Sequence, residues 1–312
     1  MTSPAVAPPG RAPHAYDAYG LRIRSDVVLP ELRPGTASPG APPDLTIVRA
    51  GPGSLAVEPG VSFREGEASL AWPEVGSFRV RDGRIVAAPL EGVGDELLAF
   101  PLLGPVLAAA LHLGGRFVMH ASAIAVDGEV VVVMGDKGAG KSTTASALLS
   151  AGHALVADDL VVLDVGATTR ALPGFPQLKL DDAALARLGD PIAEVRPAVH
   201  PQIRKHRVLV RRYTVEPLPV RRLYLVERGE GARIAPVAGL DALRAVLRFA
   251  YAARYGAQAF APLRAGAHVR GAATMADAGL VARLVVPEGL DRIAEGVGAI
   301  ERDVARRARE AA

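Results

Sequence analysis

The chain has 312 residues, of which 50% are hydrophobic and 22% are charged, and these proportions are typical of a folded protein. Its 36 Lys and Arg residues exceed its 33 Asp and Glu residues by only three charges, and aromatic residues make up 4%, which argues against a nucleic-acid-binding protein. The absence of cysteine excludes disulfides, thiolate metal sites and a cysteine nucleophile.

The N-terminal segment has none of the marks of a secretory signal. It lacks a basic start and an apolar core, and its four prolines predict a disordered tail over residues 1–15. We therefore expect a cytoplasmic protein.

Residues 16–94 have the pattern of a small β-rich domain. Alternating polarity over residues 19–24 and a β-branched run over residues 44–48 each predict a strand. Residues 78–86 predict a hairpin that turns at Asp82-Gly83. The Pro- and Gly-rich residues 34–43 predict a surface loop.

An uncharged apolar stretch at residues 97–115 raises the question of a membrane span. It is interrupted by Pro101, Pro105 and three glycines, and it contains His112. A buried helix over about residues 106–113, entered through a Pro-rich turn, is favoured over membrane insertion.

The pattern changes after residue 94, and residues 95–312 predict one α/β domain built around a buried sheet. A strand, a glycine-rich loop, a helix and a second strand follow one another as in a βαβ unit. The predicted helices cover residues 95–113, 141–150, 240–255 and 289–312, and the predicted strands cover residues 117–120, 122–126, 130–134, 154–157 and 220–226.

The glycine-rich loop matches the phosphate-binding pattern G-x-x-x-x-G-K-[ST], and it holds two of the four lysines in the chain. Glycines allow successive backbone N–H groups to point at phosphate oxygens, and the following helix adds its positive N-terminal end. In this pattern the lysine neutralises the β- and γ-phosphates and the serine is a ligand of Mg²⁺. The predicted ATP-binding residues are Gly135, Asp136, Lys137, Gly138, Ala139, Gly140, Lys141, Ser142 and Thr143.

Two adjacent aspartates, Asp158 and Asp159, end the next predicted strand. Ligands bind at the carboxyl ends of strands in an α/β sheet, and adjacent strand residues point in opposite directions, so the pair suggests two different roles. One carboxylate would complete a Mg²⁺ shell with Ser142, and the other would act as a base toward an incoming hydroxyl. A turn or helix cap is the structural alternative.

Other polar residues near these motifs are less specific. His120 ends the strand that precedes the loop strand, and its pattern alone favours a structural role. The basic run 204–207 is either a solvated face or a cationic loop that reaches the γ-phosphate through Lys205 and Arg207. Lys179 is a further candidate for a phosphate or substrate contact.

Three segments in order resemble the catalytic core of the HPr kinase/phosphorylase family: residues 117–123, the loop 135–142, and residues 152–159, which end in the two aspartates. The resemblance implies a P-loop kinase core related to phosphoenolpyruvate carboxykinase, preceded here by the small β-rich domain. It also implies that Lys141 binds phosphates, that Ser142 and Asp159 hold Mg²⁺, and that Asp158 accepts the hydroxyl proton with His120 beside it.

The rest of the chain is similar to HPr-kinase-like proteins encoded beside peptide-modifying enzymes, among them the lasso-peptide kinases. This resemblance rests on residues 16–32 and 173–180. It implies an ATP- and Mg²⁺-dependent kinase acting on a serine of a peptide or small protein. The glycine-rich segment that bifunctional relatives place after their aspartates is missing, so the resemblance does not extend to phosphorylase activity.

Two other functions remain open at this point. The same core chemistry would serve a kinase of small metabolite alcohols, and the loop alone would serve a nucleotide-binding regulator without turnover. The sequence is also compatible with a homo-oligomer.

Overall fold

Eight strands near the N-terminus form one sheet in the computed structural model, which describes residues 13–36, 41–188, 192–196, 205–260, 265–289 and 292–311. These strands are β1 (His14–Ala18), β2 (Leu21–Ser25), β3 (Arg33–Pro34), β4 (Leu45–Arg49), β5 (Gly60–Arg64), β6 (Glu67–Trp72), β7 (Gly76–Arg81) and β8 (Arg84–Pro89). Their order across the sheet is β3-β1-β2-β4-β8-β7-β6-β5. Only β4 runs parallel to its neighbours, β2 and β8, among these described strands.

The two-residue turns of this sheet test two sequence predictions, of which one is confirmed and one is wrong. Asp82 and Gly83 both have positive φ and join β7 to β8, as the sequence predicts. Tyr19 and Gly20 also have positive φ, so residues 19–24 form the turn and second strand of a β1–β2 hairpin instead of one strand.

Several sequence boundaries in this region need correction. Residues 14 and 15 belong to β1, so the predicted disordered tail is wrong at its end, and residues 1–12 lie outside the described residues. Pro34 ends β3, and residues 37–40 of the predicted loop also lie outside the described residues. Strands β5 and β6 have no counterpart among the predictions.

The apolar stretch forms a broken helix whose core-facing side is buried. It comprises α1 (Asp95–Pro101), a π-helical turn (Leu102–Val106) and α2 (Leu107–Leu113), with non-helical angles at Gly104 just before Pro105. It is the one helical run in the described residues long and apolar enough to cross a membrane, and 61% of its most apolar window is buried. This burial supports the prediction of a core helix.

The described residues after the broken helix add twelve strands in two further sheets, with helices between them, which confirms a mixed α/β architecture. The strands are β9 (Phe117–Met119), β10 (Ser122–Val126), β11 (Glu129–Met134), β12 (Ala154–Asp158), β13 (Val161–Asp164), β14 (Arg170–Leu172), β15 (Gln177–Leu180), β16 (Ile192–Arg196), β17 (His206–Val210), β18 (Leu218–Gly229), β19 (Arg233–Pro236) and β20 (Val281–Pro287). The helices are α3 (Lys141–Ser150), α4 (Asp182–Leu188), α5 (Gly239–Arg248), a 3₁₀ helix (Tyr251–Tyr255), α6 (Ala257–Phe260), α7 (Ala265–Asp277) and α8 (Ile293–Ala311).

Two helices are shorter than the sequence predicts. The helix predicted over residues 240–255 ends at Arg248 and is followed by the 3₁₀ helix. The C-terminal helix begins at Ile293 rather than at residue 289. By contrast, α3 has the predicted bounds.

The described residues divide into two units, one within residues 1–116 and 251–265 and the other within residues 117–250 and 266–312. The broken helix therefore groups with the β-rich unit, and the division differs from the predicted boundary at residue 94. Within the first unit, hydrogen bonds from or to residues 258 and 259 join residues 251–260 to the rest. His112 Nε2 donates to the Ala259 carbonyl at 2.8 Å, and Gln258 Nε2 donates to the Val61 carbonyl at 3.3 Å.

The core of the second unit is built on β11, whose residues after Glu129 are all buried. β11 pairs antiparallel with β10 and parallel with β18, and β10 separates it from β12. A β-branched strand of this kind is typical of a sheet covered on both faces. Side chains of α3 and α8 pack into the same hydrophobic cluster as β11, so the sheet holds the start of α3 at its edge.

A buried ion cluster fixes α8 to this sheet. Arg222 Nε donates to Asp303 Oδ2 at 2.9 Å, and the Tyr224 hydroxyl donates to the same oxygen at 2.8 Å. Arg222 also donates to the Gly279 carbonyl at 2.9 Å. Burial alone would raise the pKa of Asp303, but hydrogen bonds from Arg222, Tyr224 and Arg306 lower it.

We expect Asp303→Ala to lower the free energy of unfolding by about 3–5 kcal/mol, because it leaves the Arg222 guanidinium buried without its counter-charge. Asp241→Ala on α5 is the matched control, since that carboxylate is 81% exposed, and its effect should stay within about 0.5 kcal/mol. Urea unfolding of both variants measures the difference. A loss at Asp303 no larger than the control's would show that the cluster contributes nothing to stability.

Candidate active site

The glycine-rich loop 135–142 connects the buried strand β11 to the first turn of α3. Gly138 and Gly140 have φ values of 85° and 109°, a left-handed region that favours glycine. Gly140 is the N-cap of α3, so the positive end of the helix faces the loop. This arrangement of backbone N–H groups and helix end is suited to an anion.

Lys141 lies across the loop that precedes it. Its ammonium donates to the carbonyls of Gly135 at 2.7 Å and Asp136 at 3.1 Å. Burial lowers the pKa of Lys141, and the positive charge of Lys205 lowers it further, against the charges of the nearby aspartates. Two cations therefore act on the same region of the loop.

Asp158, the last residue of β12, is a buried carboxylate with two hydrogen bonds. Ser122 Oγ donates to Oδ1 at 2.6 Å, and the backbone N–H of Lys179 donates to Oδ2 at 3.0 Å. Burial raises the pKa of Asp158 and the charge of Asp159 adds to this, while the Ser122 and Lys179 bonds oppose it. A carboxylate whose pKa is raised in this way is a better proton acceptor at neutral pH than an exposed one.

Asp159 has the opposite electrostatic character. Its Oδ2 accepts from Lys179 Nζ at 2.7 Å, and its Oδ1 lies 3.2 Å from His120 Nδ1. Burial alone would raise the pKa of Asp159, but the charge of Lys179 and the contact with His120 lower it well below its usual range. Asp159 is therefore the permanently ionised member of the pair. Its φ of 69° is uncommon for a non-glycine residue and is the kind of strain that clusters at functional sites.

The strand pattern predicts that the two aspartate side chains point in opposite directions, and this prediction is wrong. The left-handed conformation of Asp159 turns the chain at the end of β12, and both carboxylates accept a hydrogen bond from Lys179. Lys179 lies on β15, in a different sheet, and its backbone N–H and its ammonium donate to Asp158 and Asp159, respectively.

His120 follows the end of β9, where its backbone N–H donates to the Phe249 carbonyl at 2.9 Å. Its ring contacts Asp159 rather than Asp158, and Nδ1 also lies 3.3 Å from the Asp159 carbonyl. The resemblance implies that His120 lies beside Asp158, and this is wrong, because the imidazole contacts the Asp159 carboxylate.

The basic run divides into residues of different exposure. Lys205 is exposed and precedes β17, whereas Arg207 lies within β17 and is buried. Arg207 stands opposite Lys179 in the β15–β17 register, so both side chains lie on one face of the small sheet. The solvated-face interpretation is thus wrong for Arg207, and Arg204 lies outside the described residues.

The oxygen ligands of this region suit a hard cation. Ser142 offers a hydroxyl and Asp159 an ionised carboxylate, which are ligands that Mg²⁺ prefers. Within the described part of the chain, no group of three or more His, Cys, Asp or Glu side chains is placed to hold a metal. Two oxygen ligands would leave the other positions around a bound Mg²⁺ to further oxygen atoms.

Sequence reasoning missed three polar residues of this region. Ser122 is the register partner of Asp158 across β10 and β12, and such a pairing becomes visible only once the register is known. Arg248 Nη2 lies 2.8 and 2.7 Å from the two carboxylate oxygens of Asp136 in the loop. Arg228, on β18, lies beside Gly140. Neither arginine belongs to a motif.

Comparisons with known proteins bear on the same segment. Residues 112–181 match the model of the HPr Serine kinase C-terminal domain, which confirms for this segment the resemblance drawn from its motifs. No curated protein matches the chain. Among solved structures, the Hpr(Ser) kinase/phosphatase from Coxiella burnetii aligns with 62% of this chain and 97% of its own, at 13% identity and a TM-score of 0.29.

Proposed function

We propose that this chain, whose residues 112–181 match the HPr Serine kinase C-terminal domain, is an ATP- and Mg²⁺-dependent kinase that phosphorylates a serine-type hydroxyl. One observation carries the proposal. Strands β11 and β12 both pair antiparallel with β10, so they run parallel to each other, and the loop that follows β11 and the two aspartates at the end of β12 lie at the same edge of the sheet. A phosphate-binding loop beside a basic carboxylate is the minimum equipment for phosphoryl transfer to an alcohol.

The roles follow from the contacts of each residue. The loop N–H groups and the Lys141 ammonium hold the phosphate chain of ATP. Ser142 and Asp159 would hold Mg²⁺, which neutralises charge on the phosphate oxygens when bound. Asp158, held by Ser122 and the Lys179 N–H, accepts the proton of the acceptor hydroxyl. The acceptor oxygen then bonds to the γ-phosphorus as the bond to the leaving oxygen of ADP breaks.

The acceptor is proposed to be a peptide or small protein, with a ribosomal peptide natural-product precursor as its most specific form. This choice rests on the likeness of residues 16–32 and 173–180 to kinases of peptide-modifying clusters. The enzyme is proposed to be cytoplasmic. We also propose that the protein forms a homo-oligomer.

The test is transfer of labelled γ-phosphate from ATP in the presence of Mg²⁺. Acceptors are serine-containing peptides, the same peptides with serine replaced by alanine, and small alcohols. Label on serine peptides alone supports the proposal, and label on small alcohols alone favours a metabolite kinase. Nucleotide binding without transfer to any acceptor would favour a non-catalytic regulator.

Asp159→Ala should weaken Mg²⁺-dependent ATP binding by about tenfold or more, which corresponds to ~1.4 kcal/mol, and more than Asp158→Ala does. The reason is that Asp159 is the ionised carboxylate, whereas burial raises the pKa of Asp158. Mg²⁺ titrations of ATP binding to both folded variants measure the difference. Equal metal dependence in the two variants would refute this division of roles.

A further inference from the structure

β18 extends beyond the end of β11 and passes beside the glycine-rich loop. The parallel register pairs Met134 with Leu225, so the last residues of β18 lie next to residues 135–140. A Cβ atom on Gly135 would lie 3.1 Å from the Val226 carbonyl oxygen, and one on Gly140 would lie 3.0 Å from Arg228 Nη2. The Arg228 guanidinium therefore lies beside the N-cap of α3.

This is an unusual place for a cation. The N-terminal end of a helix carries a partial positive charge, and it favours anions rather than arginine. The first residue of α3 is Lys141, whose ammonium lies over the same loop and donates to the Gly135 and Asp136 carbonyls. The Arg228 guanidinium, the Lys141 ammonium and the helix end thus lie at one loop, and an anion bound there would offset their positive charge.

The two arginines near the loop differ in their partners. Arg248 is paired with both carboxylate oxygens of Asp136, so it neutralises the negative charge of the loop itself. Arg228 donates to the Pro287 carbonyl at 3.3 Å, and no carboxylate in the described part of the chain lies within ion-pair distance of it. The Arg228 guanidinium therefore has N–H groups that do not bond to a carboxylate of the described residues.

We propose that Arg228 is an additional phosphate-binding residue, whose guanidinium contacts the phosphate chain of the nucleoside triphosphate at the Gly140 end of the loop. The proposal rests on the function proposed above and assigns to it a residue that no loop motif contains. A guanidinium offers several N–H donors in one plane and pairs with phosphate in a two-bond geometry that lysine cannot reproduce.

The test compares equilibrium binding of MgATP and of inorganic tripolyphosphate to the full chain and its variants. Arg228→Gln should weaken both by about tenfold, the usual worth of one charge-assisted hydrogen bond, and Arg228→Lys should weaken them less. The affinity of R228Q should also depend less on salt, because one charge pair is gone. Arg283→Gln is the control, since Arg283 lies on β20, is 53% exposed and pairs with Glu227. It should bind both ligands as the wild type does.

Two results would overturn the assignment. R228Q could bind both ligands as tightly as the wild type, or it could lose affinity for MgATP but keep it for tripolyphosphate, which would place the guanidinium on the nucleoside. Arg228→Met replaces R228Q if the latter does not fold. A wild-type protein that binds neither ligand would overturn the proposed function and this inference with it, so the two failures are distinguishable.

Discussion

Asp158→Asn is expected to lower the rate of phosphoryl transfer by roughly 10²- to 10⁴-fold, the usual contribution of a positioned general base, while the affinity for ATP changes little. The asparagine keeps the size of the side chain, and its amide oxygen can accept from the Lys179 N–H while its NH₂ group donates to Ser122 Oγ. It loses the basic carboxylate. Because the hydroxyl proton moves late in a loose transition state, the low end of the range is the more consistent with phosphoryl transfer.

Single-turnover transfer at saturating ATP and Mg²⁺ measures this effect. Asp277→Asn, at the exposed end of α7, is the control and should transfer at the wild-type rate. His120→Ala should cost less than Asp158→Asn, since the imidazole contacts Asp159. If Asp158→Asn keeps more than about a third of the wild-type rate, far above what losing a general base allows, Asp158 is a positioning residue.

The same carboxylate predicts the pH dependence of transfer. Asp158 acts in its deprotonated form, so the rate falls as pH decreases through its pKa. Burial raises that pKa, so the acid limb should lie above the ordinary aspartate value of about 3.9. Asp159, whose pKa is lowered, contributes no limb in this range. The limb should vanish in the residual activity of Asp158→Asn, and its persistence would assign it to another group.

Lys141→Ala should abolish detectable transfer, a loss of roughly 10³-fold or more, because it removes the charge that stabilises the transferring phosphoryl group. The fold should persist, since the ammonium bonds only the Gly135 and Asp136 carbonyls in the described structure. Circular dichroism checks the fold, and labelled-phosphate transfer checks the activity.

Lys137→Ala is the matched control for this variant. Lys137 lies in the same loop, carries the same charge and is exposed, so its removal should reduce transfer far less. Unchanged transfer by folded Lys141→Ala would overturn the phosphate-loop assignment. Equal losses of transfer in both variants would show that Lys141 contributes only its positive charge and not a specific phosphate contact.

The features that sequence predicts well are those specified by adjacent residues. The hairpin at Asp82-Gly83 and the succession of β11, loop and α3 follow from β-branched runs, from glycines that adopt positive φ and from a helix-forming run. The bounds of α3 needed no tertiary information.

The features that sequence misses depend on long-range pairing. The Ser122–Asp158 bond exists because β10 and β12 pair in one register, and the Lys179 contacts join residues 20 and 21 positions apart in different sheets. The left-handed turn at Asp159 changes the predicted side-chain geometry, and because aspartate tolerates this conformation without requiring it, the sequence does not specify the turn. Arg228 reaches the loop only because a parallel strand overruns its neighbour.

The division of the first unit between residues 1–116 and 251–265 has a consequence for the order in which the chain becomes structured during synthesis. His112 donates to the carbonyl of Ala259. The ribosome adds Ala259 only after it has translated residues 117–250 of the second unit. At about 5–20 residues per second, the N-terminal sheet waits on the order of ten seconds for its last segment. A polypeptide released before residue 251 therefore leaves the first unit without the segment that closes it, even though every strand of its sheet is present.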